Sequence, residues 1–125
     1  MARSIFVVQG NAEPGRDGDY NEWYSNTHIP EVLALPGFAT AQRFRLARIP
    51  GDPGSASYAY EYLTIYEVDC PPEEANAILE EAKSGPSQWS PTDTSSPVRS
   101  SAFFTELGPQ IVANGHRRGA SDSAS

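Results

Sequence analysis

The segment Tyr58–Val68 restricts the possible folds more than any other part of the chain. Its sequence, YAYEYLTIYEV, carries tyrosine, threonine or valine at even-numbered positions and alanine, glutamate, leucine or isoleucine at odd-numbered positions. A period of two residues is typical of a β-strand with two distinct faces. Apolar or aromatic residues occur on both faces, which predicts that both faces of the sheet are covered.

Three further segments predict strands, from their β-branched and aromatic content or from alternation along the chain. They are Ser4–Gln9, Phe38–Arg48 and Ser100–Leu107. A helix is predicted over Pro72–Lys83, because proline is favoured at its start and acidic residues follow in its first turn.

The segment Asp19–Phe38 (DYNEWYSNTHIPEVLALPGF) predicts the other helix. Asp19 is the expected N-cap and Glu22 completes a capping box. Pro36–Gly37 ends the helix. Pro30 removes a backbone donor, so we expect a kink beside His28.

The remaining segments predict connections. Pro- and Gly-rich Ile49–Ser57 joins two strands, and Ser84–Arg99 is a long loop of the kind that often forms a lid. The apolar-poor residues 114–125 predict a disordered tail after a single domain at 1–113.

The element order β-α-β-β-α-β predicts an α+β, ferredoxin-like fold: a four-stranded antiparallel sheet with two helices on one face. Because the second face of such a sheet has no cover of its own, we expect it to pack against another copy in a homodimer.

The charge pattern excludes some classes of partner. A net charge of −7 with scattered acidic residues argues against nucleic-acid binding, which needs clustered Lys and Arg. No apolar run reaches the length of a signal peptide or a membrane span, and the one cysteine, Cys70, cannot form an internal disulfide. We therefore expect a cytoplasmic protein without a membrane partner.

His28 is the leading catalytic candidate. At about 100° per residue it falls near the centre of the inward helix face, one turn after Tyr24. An imidazole titrates near neutral pH and can move protons. The alternative is a core histidine bonded to a backbone carbonyl or to Glu31.

Tyrosines on the Tyr58–Val68 strand come next, with Tyr62 and Tyr66 as catalytic candidates that orient a substrate oxygen. They could equally fill a sheet face. Arg43 and Arg45 could hold a substrate carboxylate or pair with Glu61 and Glu67 on the neighbouring strand. The expected substrate-binding residues are Tyr24, Phe6, Trp89, Thr64 and Arg43.

No metal or cofactor is expected. One internal histidine without clustered acids does not supply a metal site, and neither a phosphate-binding glycine loop nor a dinucleotide fingerprint is present. Cys70 has no histidine nearby in sequence to activate it as a nucleophile.

Three motifs together resemble the dimeric α+β-barrel superfamily, most closely its EthD-like members. They are Tyr20-Asn21-Glu22-Trp23-Tyr24, His28-Ile29-Pro30 and Leu35-Pro36-Gly37-Phe38, with Tyr62–Glu67 similar to the third strand of that group. The resemblance covers about residues 4–107. It implies two ferredoxin-like subunits with facing sheets, a pocket in each subunit between helices and sheet, and a functional histidine before proline.

Members of that superfamily include cofactor-independent cyclases, dehydratases, isomerases and decarboxylases, cofactor-free quinol-forming monooxygenases and haem-dependent enzymes. A histidine haem ligand occurs among them, but the place of His28 on a helix with Pro30 argues against that role. The expected function is acid–base catalysis on a polyketide-like or aromatic small molecule. The alternatives are a cofactor-free monooxygenase and a non-catalytic barrel that binds a small molecule.

Overall fold

The strands form one antiparallel sheet. The computed structural model describes residues 3–85 and 89–115. Its strands are β1 (Ser4–Ala12), β2 (Phe38–Arg45), β3 (Tyr62–Val68) and β4 (Ser95–Thr105). Their order in the sheet is β2-β3-β1-β4, with every pair antiparallel. This topology confirms the predicted ferredoxin-like α+β fold.

The first helix has three consecutive parts. It begins with α1 (Asp17–Trp23), continues through a π-helical turn (Tyr24–His28) and ends with α2 (Ile29–Leu33). The predicted N-terminus at Asp19 is wrong, because Arg16 occupies the N-cap position and makes no side-chain capping bond. Asp17 and Asp19 both lie in the first turn, where carboxylates stabilise the positive end of the helix dipole.

The π-helical turn lies where the sequence predicts a disruption by Pro30. The Ile29 amide bonds the Tyr24 carbonyl, five residues earlier, in place of the usual four. Pro30 has no amide hydrogen to offer the Asn26 carbonyl, and its ring would clash there in a regular α-helix. A π turn widens the helix at that point and relieves the clash.

The helix stops at the predicted Pro36–Gly37 turn. Gly37 has a φ of 92°, a region that side chains other than glycine rarely adopt. A Cβ at this position would also lie 2.6 Å from the Cys70 sulfur. Both facts require glycine there.

Two predicted boundaries shift in the middle of the chain. The connection at 49–57 contains a short helix, α3 (Pro53–Ser57), capped by the Asp52 carboxylate. The strand predicted from Tyr58 begins at Tyr62, because the Asn11 side chain bonds the Ala59 carbonyl and the Glu61 amide. These side-chain bonds replace ladder bonds there, while the Glu61 carbonyl accepts a hydrogen bond from the Leu46 amide just after β2.

The last strand is longer than predicted. It begins at Ser95, five residues before the expected Ser100, so part of the predicted long loop is strand. Ser95 pairs with Ala12 after a bulge, and the Glu13 amide bonds the Thr94 carbonyl just beyond it. Helix α4 (Pro72–Ser84) agrees with the prediction.

The two faces of the sheet differ in cover. The even-numbered residues of β3 are buried against the helices, as the alternation predicts. The core beneath α2 and α4 contains Phe6, Val32, Phe38, Tyr66, Val68, Ala75 and Leu79. On the other face no described element covers β3 residues Leu63 and Ile65, and Phe44 and Phe104 are 43% and 54% exposed.

Most of the predicted tail, 116–125, lies outside the described residues, so its disorder stays a prediction. No helix in residues 3–85 and 89–115 combines the length and the apolar character that a membrane span requires.

Candidate functional site

A cavity of about 290 Å³ lies between the first helix and the sheet. Phe6 and Val8 of β1 and Tyr66 of β3 form its sheet side. The π-helical turn supplies Tyr24 and His28, because the turn directs both side chains toward the sheet. Trp89 comes from the segment before β4. The walls are therefore largely aromatic, as is common for small-molecule sites.

His28 is enclosed by aromatic rings. Its imidazole stacks on Trp23 with ring centroids 4.9 Å apart and an interplanar angle of 14°. Tyr24 and Trp89 meet it edge-on at 5.0 and 5.1 Å. The ring orientation of His28 is thus fixed by packing on three sides.

The His28 imidazole is uncharged at neutral pH. Burial among apolar rings lowers its pKa to about 4; nearby Arg99 adds to the effect and Glu31 opposes it. A neutral imidazole keeps one nitrogen lone pair free to accept a proton.

The His28 Nδ1 atom is buried and has no hydrogen-bond partner among the described residues. The alternative prediction, a hydrogen bond between His28 and Glu31, is not found among the described residues. Glu31 Oε2 instead accepts hydrogen bonds from the Ser90 amide and hydroxyl, at 3.0 and 2.8 Å. This contact ties the Trp89–Ser90 segment to α2 and holds Trp89 against the cavity.

Tyr66 is the second buried polar group that faces the cavity. It is 1% exposed, and its hydroxyl makes no hydrogen bond to any described residue. Burial, and after it the neighbouring Tyr24 hydroxyl, raise the pKa of Tyr66 well above its usual range, so the hydroxyl keeps its proton. Tyr66 can therefore donate a hydrogen bond to a ligand oxygen.

Tyr62, Thr64 and Arg43 do not line this cavity. The Tyr62 hydroxyl donates to Asp17 Oδ2 at 2.6 Å and accepts from Asn21 Nδ2 at 3.3 Å. Of the eight predicted site residues, the structure brings together His28, Tyr66, Tyr24, Phe6 and Trp89.

Arg43 lies in a cluster of tyrosines next to the cavity. Its guanidinium is 4.6 Å from the ring centroid of Tyr24, 5.4 Å from Tyr62 and 5.6 Å from Tyr20. Such cation–π contacts stabilise a buried cation. Arg45 makes the predicted ion pair with Glu61, at 2.9 Å, whereas Arg43 makes no ion pair with any described residue.

Several lining residues were not predicted. Tyr20 and Trp23 extend the aromatic wall, and Arg99 and Lys83 add two cations. In the register of β1 and β4, Arg99 pairs with Gly10 and Phe103 pairs with Phe6. Arg99 and Phe103 therefore lie on the same face of β4, the face that the helices cover. Extending the strand alternation upstream from Phe103 would have placed Arg99 on the Phe6 side.

Within the described ranges, no three His, Cys, Asp or Glu side chains lie close enough together to hold a metal ion.

The fold is the ferredoxin-like α+β fold, which an EthD family protein of known structure shares. The chain belongs to the family described as a domain of unknown function, DUF4286, whose model matches residues 3–117.

A solved structure agrees with this fold. The chain is similar to an "ethyl tert-butyl ether d (ethd) family protein" from Bacillus halodurans, at 15% identity and a TM-score of 0.52, over 86% of this chain and 100% of that one. A protein of unknown function from Nitrosomonas europaea is similar at 11% identity and a TM-score of 0.49, over 90% of this chain and 97% of that one. No curated protein matches. At 15% identity, the likeness to the first of these structures establishes the fold alone.

Proposed function

We propose that the protein is a small cofactor-independent enzyme that uses acid–base catalysis on a polyketide-like or aromatic small molecule. The reaction is a cyclisation, dehydration or isomerisation. The observation that carries the proposal is a pair of polar groups facing one aromatic cavity. Both His28 Nδ1 and the Tyr66 hydroxyl are buried there without a hydrogen-bond partner in the described part of the chain.

Unpartnered buried polar atoms are costly, so their presence in a cavity indicates that a ligand or water completes them. A neutral His28 accepts a proton from an acidic carbon or a phenol of the substrate. Tyr66 donates a hydrogen bond to the oxygen on which negative charge develops. Because apolar surroundings disfavour the imidazolium, His28 returns the proton readily to another position of the substrate.

Proton abstraction can be measured without knowing the natural substrate. We expect the protein to catalyse deuterium incorporation next to the carbonyl of an aryl ketone such as 2-tetralone in D₂O, followed by NMR. His28→Ala should lower this rate about 10² to 10⁴-fold, the usual contribution of a general base. Full activity in that variant would refute the proposal.

Asn26→Ala is the matched control. Asn26 lies on the same π-helical turn but is exposed and does not line the cavity. Its rate should stay within about twofold of the parent, since surface substitutions rarely perturb a site. Circular dichroism of both variants checks that the fold is retained.

A cofactor-free monooxygenase is a second candidate, favoured by the stacked rings of Trp23 and His28, which suit a planar phenol. In that case oxygen is consumed with a dihydroxyaromatic compound, and an oxygen electrode distinguishes the two reactions. A non-catalytic binding protein would instead show ligand-dependent melting shifts without either activity, and His28→Ala would keep them.

We also propose that the protein is a homodimer through the open sheet face. Ile5, Val7, Leu63 and Ile65 lie on that face next to exposed Phe44 and Phe104, and burial of such a surface is favourable. Ile65→Glu should convert the dimer to monomer in light scattering, whereas Glu73→Gln on exposed α4 should not. A monomeric parent protein would refute this assembly.

A further inference from the structure

The charge of the cavity is opposite to that of the whole protein. The chain has a net charge of −7, yet the charged side chains that line the cavity are Arg99 and Lys83. No Asp or Glu of the described residues lines it. A cavity lined by one sign of charge attracts ligands of the other sign.

Arg99 has no ionic partner within the described residues. Most other described cations have a carboxylate within 4.0 Å, and Lys83 itself is held by Glu80 at 3.2 Å. Pairs of this kind are made by Arg3, Arg16, Arg45 and Arg48. Arg99 is exposed and makes no such contact, although acidic residues outnumber basic ones by sixteen to nine. Its guanidinium is available to a ligand.

The polar groups of the cavity are graded by burial. Tyr66 is 1% exposed, His28 is half-buried and Arg99 is exposed. A ligand that contacts all three therefore has one end in the aromatic interior and the other at the solvent side. Its charged group belongs at the solvent side, where the cost of removing it from water is smallest.

We infer that the substrate is a carboxylic acid with an apolar ring system. Its carboxylate binds Arg99 at the mouth of the cavity, and its reacting oxygen and carbon lie at Tyr66 and His28. This inference rests on the proposed function and adds the class of substrate to it.

A carboxylate fits better than a phosphate. One planar guanidinium matches the two oxygens of a carboxylate in a bidentate pair. A phosphate dianion would need further donors, and Lys83 is already paired with Glu80. A cavity of about 290 Å³ is at the small end of ligand sites, which suits one or two rings.

The bound carboxylate would also improve His28 as a base. Arg99 is one of the causes that lower the pKa of His28. A carboxylate on Arg99 offsets that positive charge, so the imidazolium becomes easier to form when the substrate is present. Binding of the acid thus supports the proton transfer that follows.

The test compares two ligands of one shape. Both tryptophans of the chain, Trp23 and Trp89, line the cavity, so their fluorescence reports its occupation. We titrate the protein with adamantane-1-carboxylate and with adamantane-1-carboxamide, which do not absorb at the tryptophan wavelengths. The carboxylate should bind at least about tenfold more tightly, the gain expected for a charge-assisted hydrogen bond.

Substitution of Arg99 tests whether this residue causes the preference for the carboxylate over the amide. Arg99→Gln should weaken carboxylate binding about tenfold and leave amide binding within about twofold. Arg99→Lys should restore part of the loss, because it keeps the charge but not the planar fork. Arg45→Gln is the control, since Arg45 is an exposed arginine that pairs with Glu61 and does not line the cavity. It should change neither affinity.

Equal affinity for the two ligands, no detectable binding of the carboxylate, or an unchanged preference in Arg99→Gln would each overturn the inference. None of these outcomes bears on deuterium exchange into a neutral ketone, which tests the proposed function. Conversely, His28→Ala could leave deuterium exchange unchanged while the parent still prefers the carboxylate. The protein would then be a binding protein for carboxylic acids and not the proposed enzyme.

Discussion

Tyr62 and Tyr66 lie four residues apart on the same face of β3, and their surroundings differ. At the Tyr62 end, the hydroxyl is bonded to Asp17 and Asn21 of α1. At the Tyr66 end, the hydroxyl is buried more deeply but has no partner among the described residues. One tyrosine therefore joins the helix to the sheet, and the other is available to a ligand.

The difference shows that residue type and sheet face do not decide which tyrosine hydroxyl is bonded within the described chain. A hydroxyl whose bonds are complete in the folded chain contributes to stability. A buried hydroxyl without a partner costs stability and is retained for another reason. The two ends of β3 should therefore respond in opposite ways to the loss of a hydroxyl.

The largest effect is expected at the Tyr66 end. Tyr66→Phe should lower the exchange rate about 10²-fold, because the donor to the developing oxyanion is lost. The melting temperature should not fall, since the hydroxyl removed has no partner to lose. Retained activity together with a lower melting temperature would show that Tyr66 has a structural role.

A smaller effect concerns the pH dependence of stability at the same end. Because burial lowers the pKa of His28 from 6.5 to about 4, the unfolded chain binds more protons between these values than the folded one. Neutral His28 makes its full contribution to the free energy of unfolding above pH 6.5, and this contribution is lost as the pH falls toward 4. The parent should lose on the order of 2 kcal/mol more stability than His28→Gln over this range.

Urea unfolding of both proteins at pH 7.5 and pH 4.5 measures this difference. The carboxylates titrate in the parent and the variant alike, so their contribution cancels. Equal losses in the two proteins would mean that His28 is as accessible to protons in the folded state as in the unfolded one.

The smallest effect is expected at the Tyr62 end. Tyr62→Phe should cost about 1 kcal/mol of unfolding free energy, since hydrogen bonds to partly exposed Asp17 and Asn21 are lost and water replaces some of them. The exchange rate should stay within about twofold of the parent. A large loss of activity here would place Tyr62 in the site and remove the distinction between the two ends.

The sequence was sufficient to predict the fold because the alternation of β3 and the order of the elements are local patterns. The sequence also predicted that His28 and Tyr24 lie on the inward face of the helix. In the structure both side chains extend from the π-helical turn and line the cavity. The helix start was predicted wrongly because a capping box at Asp19 fits the sequence as well as the observed start at Asp17 does.

The residues that line the cavity were harder to predict. Tyr62 and Tyr66 share a period and a residue type, and they differ only through Asp17 and Asn21, which tertiary structure brings to Tyr62. Arg99 was missed because the Pro- and Ser-rich segment before it has the composition of a loop. Only pairing with β1 shows that this segment is strand and that Arg99 belongs to the cavity.

The π-helical turn has a consequence for tolerated changes in chain length. A π turn is equivalent to an α-helix with one extra residue. Deletion of exposed Asn26 would remove that extra residue, so α1 and α2 would keep the same faces toward the sheet. In the resulting regular α-helix, the Pro30 ring would meet the carbonyl four residues before it, which is the clash that the π turn relieves. A single-residue deletion is thus expected to preserve the direction of both helical parts and to destabilise the helix at Pro30.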